Sequence, residues 1–221
     1  MPCDCGVGEV EAGGGIYTEL FSLVVGEEGK VYLQNPPEFE TFLGDAVEKR
    51  MDGRLINVTH IQTSFDDFEP IGDMEVDLVT WFLGPHELWY TPEGAEPGAL
   101  GDPDVAFSEI ARVLKPGGRL AISDIVYGGE IDPQVRERFQ ANWAGCVGGA
   151  IEEDRYFQIL QDVGFGQIEI VARHPLQQKE LEEMACCPGP EFTPAPAKDD
   201  IASVEGKVVS IKFRAGKPRT H

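Results

Sequence analysis

The sequence has too few basic residues for a nucleic-acid-binding protein. Its 18 Lys and Arg stand against 39 Asp and Glu, which gives a formal net charge of −21. Proteins that bind phosphate backbones carry a basic patch, and this composition does not supply one. The same shortage of cations argues against binding to an anionic membrane surface. We therefore expect no nucleic acid and no membrane among the partners, and a small neutral or weakly charged substrate instead.

Long hydrophobic runs and regular cysteine spacing are also missing. No apolar run approaches the roughly 18–20 residues that a membrane span needs. The opening residues carry no Lys or Arg of the kind that begins a secretory signal, so we expect a cytoplasmic protein. An odd number of cysteines without Cys-x-x-Cys spacing speaks against a zinc knuckle and against a secreted disulfide framework. The five are Cys3, Cys5, Cys146, Cys186 and Cys187.

What the sequence does contain is an alternation of strand and helix patterns. Strands separated by helices of 10–15 residues predict an α/β fold, a doubly wound and mostly parallel sheet of about seven strands with helices on both faces. In such a sheet the ligand crevice lies at the carboxyl ends of the strands. We expect one domain over residues 1–221, with an exposed Pro-rich loop at 187–200. The predicted strands are Gly8–Ala12, Lys30–Leu33, Asn57–Thr63, Glu75–Phe82, Arg119–Ile125, Gln167–Val171 and Lys207–Arg214. The predicted helices are Ile16–Val25, Pro36–Arg50, Pro103–Leu114, Pro133–Trp143 and Glu152–Val163.

A glycine turn follows the first predicted strand, in the segment Glu11-Ala12-Gly13-Gly14-Gly15-Ile16-Tyr17-Thr18. Glycines between a strand and a helix let backbone N–H groups and the positive helix end approach a ligand closely. A flexible loop is the alternative interpretation of three glycines in a row. A second register, beginning at Asp4, is too far from the second strand for a short βαβ unit, so we prefer the register that begins at Glu11.

Together with later segments of the sequence, this turn resembles the corresponding motifs of the class I S-adenosylmethionine-dependent methyltransferases, which have a Rossmann-like fold. The most family-specific string is Ala-Phe-Ser-Glu-Ile-Ala-Arg-Val-Leu-Lys-Pro-Gly-Gly-Arg-Leu at 106–120, which matches the helix, turn and fifth strand of many small-molecule members. The resemblance implies S-adenosyl-L-methionine as cofactor, a cofactor-binding half at 1–130 and a substrate-side half at 131–221. It implies that the methionine end of the cofactor is held by Glu11, Gly13, Gly14, Gly15 and Tyr17.

The same resemblance implies two further cofactor contacts. Gln34 and Asn35 stand where the family usually has the acid that binds the ribose hydroxyls, and Glu38 could reach the ribose from the next helix. Asp66, in preference to Asp67, stands where the family has an acid near the adenine amino group. A pair of solvated acids in a loop is the alternative for these last two residues.

The second half of the chain is similar to the arsenite methyltransferases, through Ile-Ser-Asp-Ile-Val at 122–126 and Trp-Ala-Gly-Cys-Val-Gly-Gly-Ala-Ile at 143–151. This resemblance implies that Cys146 binds trivalent arsenic as substrate, with Cys186 or Cys187 as a second thiolate and a thiol reductant as partner. Soft thiolates suit a soft metalloid whose lone pair stays free to attack a methyl sulfonium. Cys3 or Cys5 is a less favoured source of a further thiol.

Two other functions remain open. The first half, with its Pro-His-Glu-Leu-Trp segment, is more similar to a family of predicted methyltransferases of unknown substrate. One alternative is therefore methyl transfer to a small organic O, N or C nucleophile, with His86 or Glu87 as general base. The other is a truncated, non-catalytic relative that keeps the fold as a binding module. Cys146 would then be a small buried residue in a glycine-rich turn.

Overall fold

A seven-stranded sheet forms the centre of the molecule. The computed structural model describes residues 4–89, 96, 98–142, 147–185 and 197–219, and only the backbone of residues 141, 142 and 185. The strand order is β3-β2-β1-β4-β5-β7-β6. Strand β7 runs antiparallel to β5 and to β6, and the other pairs are parallel. The strands are β1 (Gly6–Val10), β2 (Lys30–Asn35), β3 (Val58–Gln62), β4 (Val76–Phe82), β5 (Leu114–Tyr127), β6 (Gly166–Pro175) and β7 (Val208–Gly216).

Helices cover both faces of this sheet, because alternate residues of each central strand point to opposite sides. Val10 of β1 packs in the same core as Phe107 of the fourth helix. Val7 of the same strand packs in a separate core with Val47 of the third helix. The helices are α1 (Ile16–Val25), α2 (Glu40–Leu43), α3 (Ala46–Met51), α4 (Pro103–Val113), α5 (Pro133–Asn142), α6 (Glu153–Asp162), α7 (Gln178–Ala185) and α8 (Lys198–Ser203), with short 3₁₀ helices at Pro37–Phe39 and Pro85–Trp89. The predicted doubly wound, Rossmann-like fold is confirmed.

Three element predictions were wrong in detail. Strand β1 ends at Val10, two residues before the predicted end, so Ala12 belongs to the turn. The Lys115–Gly118 segment is not a turn before β5 but its irregular first part, where the pairing with β4 shifts register. The predicted helix at 36–50 is broken into three pieces, with Gly44 at φ 53 between α2 and α3.

Part of the segment predicted as a Pro-rich loop is helical. Helix α8 begins at Lys198, inside the 187–200 range. Residues 187–196 of that range lie outside the described part of the chain. Among the described residues, no helix combines the length and the apolar character that crossing a membrane requires.

The spacing of apolar residues in α1 predicts that Tyr17, Leu20, Phe21, Val24 and Val25 share one inward face, but of these only Val25 is buried, with Phe21 packed partly against the core. Leu23 is 73% exposed and Val24 81% exposed, whereas Thr18 and Ser22 are buried. The cause is polar pairing on the inner face. The Thr18 hydroxyl donates to the Glu9 carboxylate, and the Ser22 hydroxyl donates to the Asn57 side-chain oxygen at 2.5 Å. These contacts set which face of α1 lies against the sheet.

Candidate active site

The candidate site lies where β1 and β4 end side by side at the centre of the sheet. The chain leaves β1 towards β2 on one side and β4 towards β5 on the other, so a crevice opens between them. Glu11 follows β1 with φ 55, and Leu83 follows β4 with φ 60. Left-handed backbone is uncommon for residues other than glycine and concentrates at functional sites. Two such residues flank this crevice.

The glycine turn is held in one shape by its neighbours. The Ala12 N–H donates to the Gln34 carbonyl oxygen at 2.9 Å, and the Gly15 N–H donates to the Ala12 carbonyl oxygen at 2.9 Å. Gly15 has φ 74, and a Cβ there would lie 2.9 Å from the Leu33 side chain, so only glycine fits. No side-chain hydrogen bond from this N-cap residue closes the start of α1. The Thr18 N–H bonds to Glu9, so the N–H groups of Ile16 and Tyr17 are the candidates for binding an anion at this helix end.

A residue that the sequence analysis missed anchors this turn. Glu9, near the end of β1, is 3% exposed, and its carboxylate accepts hydrogen bonds from the hydroxyl and the backbone N–H of Thr18. Burial raises the pKa of Glu9 to about 7, although both bonds from Thr18 oppose the shift. The available signal was an acid inside a strand whose other side chains are apolar or absent.

Gln34 and Asn35 use their amide groups to hold the turn. Gln34 Oε1 accepts the Glu11 N–H at 3.1 Å, and Gln34 Nε2 donates to the Thr63 carbonyl oxygen at 2.6 Å. Asn35 Oδ1 accepts the Gly13 N–H at 2.8 Å, and Asn35 Nδ2 donates to the Gly13 carbonyl oxygen at 3.0 Å. Both side chains are buried. Their predicted contact with a ribose would have to be made alongside these bonds, whereas Glu38 is exposed.

The other predicted cofactor residues lie along the same edge. Asp66, after β3, is partly exposed and accepts the Asp102 N–H at 2.9 Å and the Ser64 hydroxyl at 2.6 Å. Each carboxylate oxygen has a further lone pair for a ligand. Asp67 is exposed and accepts the Glu69 N–H. Tyr17 is exposed, and its ring meets that of Phe82 edge-on with centroids 5.2 Å apart.

The Glu11 side chain reaches across the crevice to β4. Its Oε2 accepts the Trp81 Nε1–H at 2.9 Å. It also lies against Gly84, where a Cβ would come within 1.7 Å of Oε2. Burial raises the pKa of Glu11 to about 8, and the nearby charge of Glu87 adds to the rise. The pKa of Glu87 is itself raised, mainly by burial.

His86 lies behind this carboxyl in a buried polar group. Its Nδ1 is 2.6 Å from Asp124 Oδ1, and neither side chain reaches solvent. Its Nε2 lies 3.6 Å from Glu87 Oε1. Burial and the neighbouring Asp124 raise the pKa of Tyr156 well above its ordinary value. This carboxylate-oriented imidazole has the geometry of a positioned base, although it is separated from bulk solvent.

Four of the five cysteines lie outside the described residues. They are Cys3 and the predicted arsenic ligands Cys146, Cys186 and Cys187. Cys5 precedes β1 at the opposite, amino end of the sheet and is disulfide-bonded. The segment that follows Cys146 is described. A Cβ at Gly149 would lie 2.3 Å from the His86 carbonyl oxygen, and the Tyr127 hydroxyl donates to the Val147 carbonyl oxygen at 2.6 Å. Gly149 therefore packs against the backbone of His86, whereas Gly148 lies against Phe139 of α5. No group of three or more His, Cys, Asp or Glu suited to a metal ion occurs among the described residues.

The described residues fit S-adenosylmethionine. The start of α1 offers N–H groups for its carboxylate, Asp66 keeps acceptor capacity for its adenine, and Glu11 is an acidic neighbour for a cationic centre. The departure from the family pattern is at the ribose, where the two amides of Gln34 and Asn35 already bond to the turn.

Comparison with known proteins places this site in a family context. A family model described as a methyltransferase domain matches residues 12–164. The arsenite methyltransferase of Halobacterium salinarum is 37% identical over 67 residues, which cover 30% of this chain and 17% of that protein. The ubiquinone/menaquinone biosynthesis C-methyltransferase UbiE of Shewanella piezotolerans is 30% identical over 115 residues, or 52% of this chain and 40% of that protein.

Solved structures share the fold at low sequence identity. An arsenic(III) S-adenosylmethionine methyltransferase from Chlamydomonas reinhardtii superposes with a TM-score of 0.69 and 18% identity, over 99% of this chain and 65% of that chain. The chain thus spans less than two thirds of the length of each of these relatives.

Proposed function

The chain belongs to the methyltransferase domain family, whose cofactor is S-adenosylmethionine, and we propose that it transfers a methyl group to arsenite held by cysteine thiolates. Cys146 is the principal ligand in this proposal, and Cys186 or Cys187 is the second. The bound cofactor supplies an electrophilic methyl group on a sulfonium. The arsenic lone pair forms the new As–C bond as the methyl–sulfur bond breaks, so no general base is required. A thiol reductant returns the oxidised arsenic to its trivalent form.

The packing of Gly149 against the His86 backbone is the observation that carries the proposal. Gly149 approaches the His86 carbonyl so closely that any side chain there would overlap it. Gly149, three residues after Cys146 in sequence, is therefore packed against the 3₁₀ helix that follows β4. The partial similarity to the Halobacterium arsenite methyltransferase supports the same substrate.

The test uses labelled donor with arsenite and a thiol, followed by analysis of the methylated products. We expect methylarsenic species from the natural protein and at least a hundredfold less from Cys146→Ser. Calorimetric binding of S-adenosylmethionine by Cys146→Ser is the control, because a variant that still folds and binds the donor has lost only the thiolate. Arsenite methylation by Cys146→Ser at the natural rate would refute the role of this thiolate.

The His86–Asp124 pair favours a second candidate. A buried imidazole bonded to a carboxylate at 2.6 Å has no task in arsenite methylation, yet it suits removal of a proton from an organic O, N or C nucleophile. The partial similarity to a quinone C-methyltransferase supports this alternative. Methylation of such a substrate by a cysteine-free variant, lost in His86→Gln, would favour it. Calorimetry that detects no donor binding would instead favour the non-catalytic relative.

A further inference from the structure

Glu11 has a left-handed backbone conformation, in which glycine would be less strained than any residue with a side chain. Its φ of 55 disfavours any side chain, and its carboxyl occupies the space that the missing Cβ of Gly84 leaves open. The Trp81 indole N–H, directed at Oε2, holds the carboxyl there. These contacts with Trp81 and Gly84 fix the position of the Glu11 carboxyl.

The groups around this carboxyl do not neutralise it. From β2, Gln34 contacts only the Glu11 backbone; from β4, Trp81 contributes a neutral donor. The nearest charges come from Glu87 and His86 of the 3₁₀ helix after β4 and from Asp124 of β5. None of the ion pairs between described residues includes Glu11. Besides burial, Glu87 and Asp124 raise the pKa of Glu11, and the charge of His86, which itself lies against these two acids, opposes them only in part.

The methyl donor and its product differ in charge at one atom. The donor carries a sulfonium, whereas the product carries a neutral thioether, and the two share their carboxylate, amino group, ribose and adenine. A carboxylate that lies among more acidic than basic groups interacts favourably with the sulfonium and gains no comparable interaction with the thioether. We propose that the Glu11 carboxylate is the group by which this crevice distinguishes the cationic methyl donor from its neutral product. This inference rests on the proposed use of S-adenosylmethionine.

The proposal predicts that binding of the donor releases a proton from Glu11, which can be measured. Near neutral pH the carboxyl of the free protein is protonated, because burial and Glu87 raise its pKa to about 8. Binding of the cation favours the ionised form, so the proton leaves Glu11 for solvent as the ion pair forms. Binding of the thioether leaves the proton in place. By linkage, the preference for donor over product rises with pH by up to about tenfold per pH unit and levels off above about pH 8.

Isothermal titration calorimetry with S-adenosylmethionine and S-adenosylhomocysteine tests this at pH 6, 7, 8 and 9. Two buffers of different ionisation enthalpy at each pH count the protons released. At pH 7 we expect the donor to release more protons than the product, by a difference approaching one. We expect E11Q, which keeps an acceptor for Trp81, to lose this difference and its pH dependence, and to lower the preference for the donor about tenfold.

The matched control is E75Q, which removes an acid at the amino end of the sheet whose contacts are with Lys30 and Tyr32. It should keep the difference in proton release. An equal difference in the natural protein and E11Q, or a donor preference that does not change with pH, overturns the inference while the proposed function stands. Failure of both ligands to bind overturns both. If E11Q does not fold, the pH dependence of the natural protein decides.

Discussion

The two ends of the central sheet treat the same residue type in opposite ways. At the amino end, Glu75 accepts from Lys30 Nζ at 2.7 Å and from the Tyr32 hydroxyl at 2.5 Å, and these bonds lower the pKa of Glu75 to about 2. At the carboxyl end, Glu9 is buried and Glu11 is partly exposed, neither has an ion pair with Lys or Arg among the described residues, and their pKa values rise to about 7 and about 8. A lysine pairs with the acid at the amino end, whereas several acids lie close to one another at the carboxyl end.

The acids at the carboxyl end of the sheet are expected to reduce stability, because no lysine or arginine pairs with them among the described residues. Paired acids at the amino end need no ligand, whereas the unpaired acids at the carboxyl end are best satisfied when a cation arrives. A net charge of −21 explains acids on the surface, but it does not explain acids buried beside each other. The accumulation at the crevice is therefore specific to the site.

The largest difference between the two ends is expected from Asp124 and Asp73. Asp124→Ala removes the fully buried acceptor of His86 and should destabilise the protein by about 3 kcal/mol. Asp73→Ala breaks an ion pair to Arg112 at the amino end, where the Asp73 side chain is 69% exposed, and should change stability by less than about 1 kcal/mol. Urea denaturation of both variants measures the contrast. Equal losses would mean that burial does not separate the two ends.

The fold was predictable because its signals are periodic and local. Strands and helices alternate, and the glycines of the first turn precede a helix, so the crevice at the carboxyl ends followed from general rules of α/β sheets. Helix α1 shows where periodicity failed. Its predicted inward face included Leu20 and Val24, yet both are exposed, because Thr18 and Ser22 make the inward polar contacts beside Val25.

The site was only partly predictable, because its decisive contacts join residues far apart in sequence. The pairing of Trp81 with Glu11 spans 70 residues, and that of His86 with Asp124 spans 38. Glu9 was missed because no spacing rule marks an acid that bonds to the helix after the turn. Whether Gln34 and Asn35 contact a ribose stays a prediction, since the structure shows only what they bind within the protein.

The next largest expected effect is the contribution of Glu9 to the pH dependence of the free energy of unfolding. In the unfolded chain this carboxyl titrates near 4.5, and in the folded protein its pKa is about 7. Between these values the Glu9 carboxyl binds more protons in the folded state than in the unfolded state, so its contribution to stability falls as pH rises from 4.5 to 7 and then stays level. The expected loss is about 3 kcal/mol. Urea denaturation of the natural protein and Glu9→Gln at constant high salt measures it, because the variant lacks this contribution. Parallel curves for the two proteins would contradict the raised pKa.

The smallest expected effect concerns the amides of Gln34 and Asn57. Gln34→Glu keeps an acceptor for the Glu11 N–H but places a second oxygen opposite the Thr63 carbonyl, to which Nε2 donates at 2.6 Å. The loss should be about 1–3 kcal/mol, because a buried donor becomes an acceptor facing an acceptor. Asn57→Asp makes the same change at the amino end of β3, where the side chain is partly exposed and Nδ2 donates to the Gly26 carbonyl at 2.7 Å, so solvent should reduce the loss. Denaturation and donor titration of both variants separate two roles for Gln34. If Gln34→Glu binds the donor more tightly without losing stability, the amide stands in for a ribose-binding acid rather than serving to hold the turn.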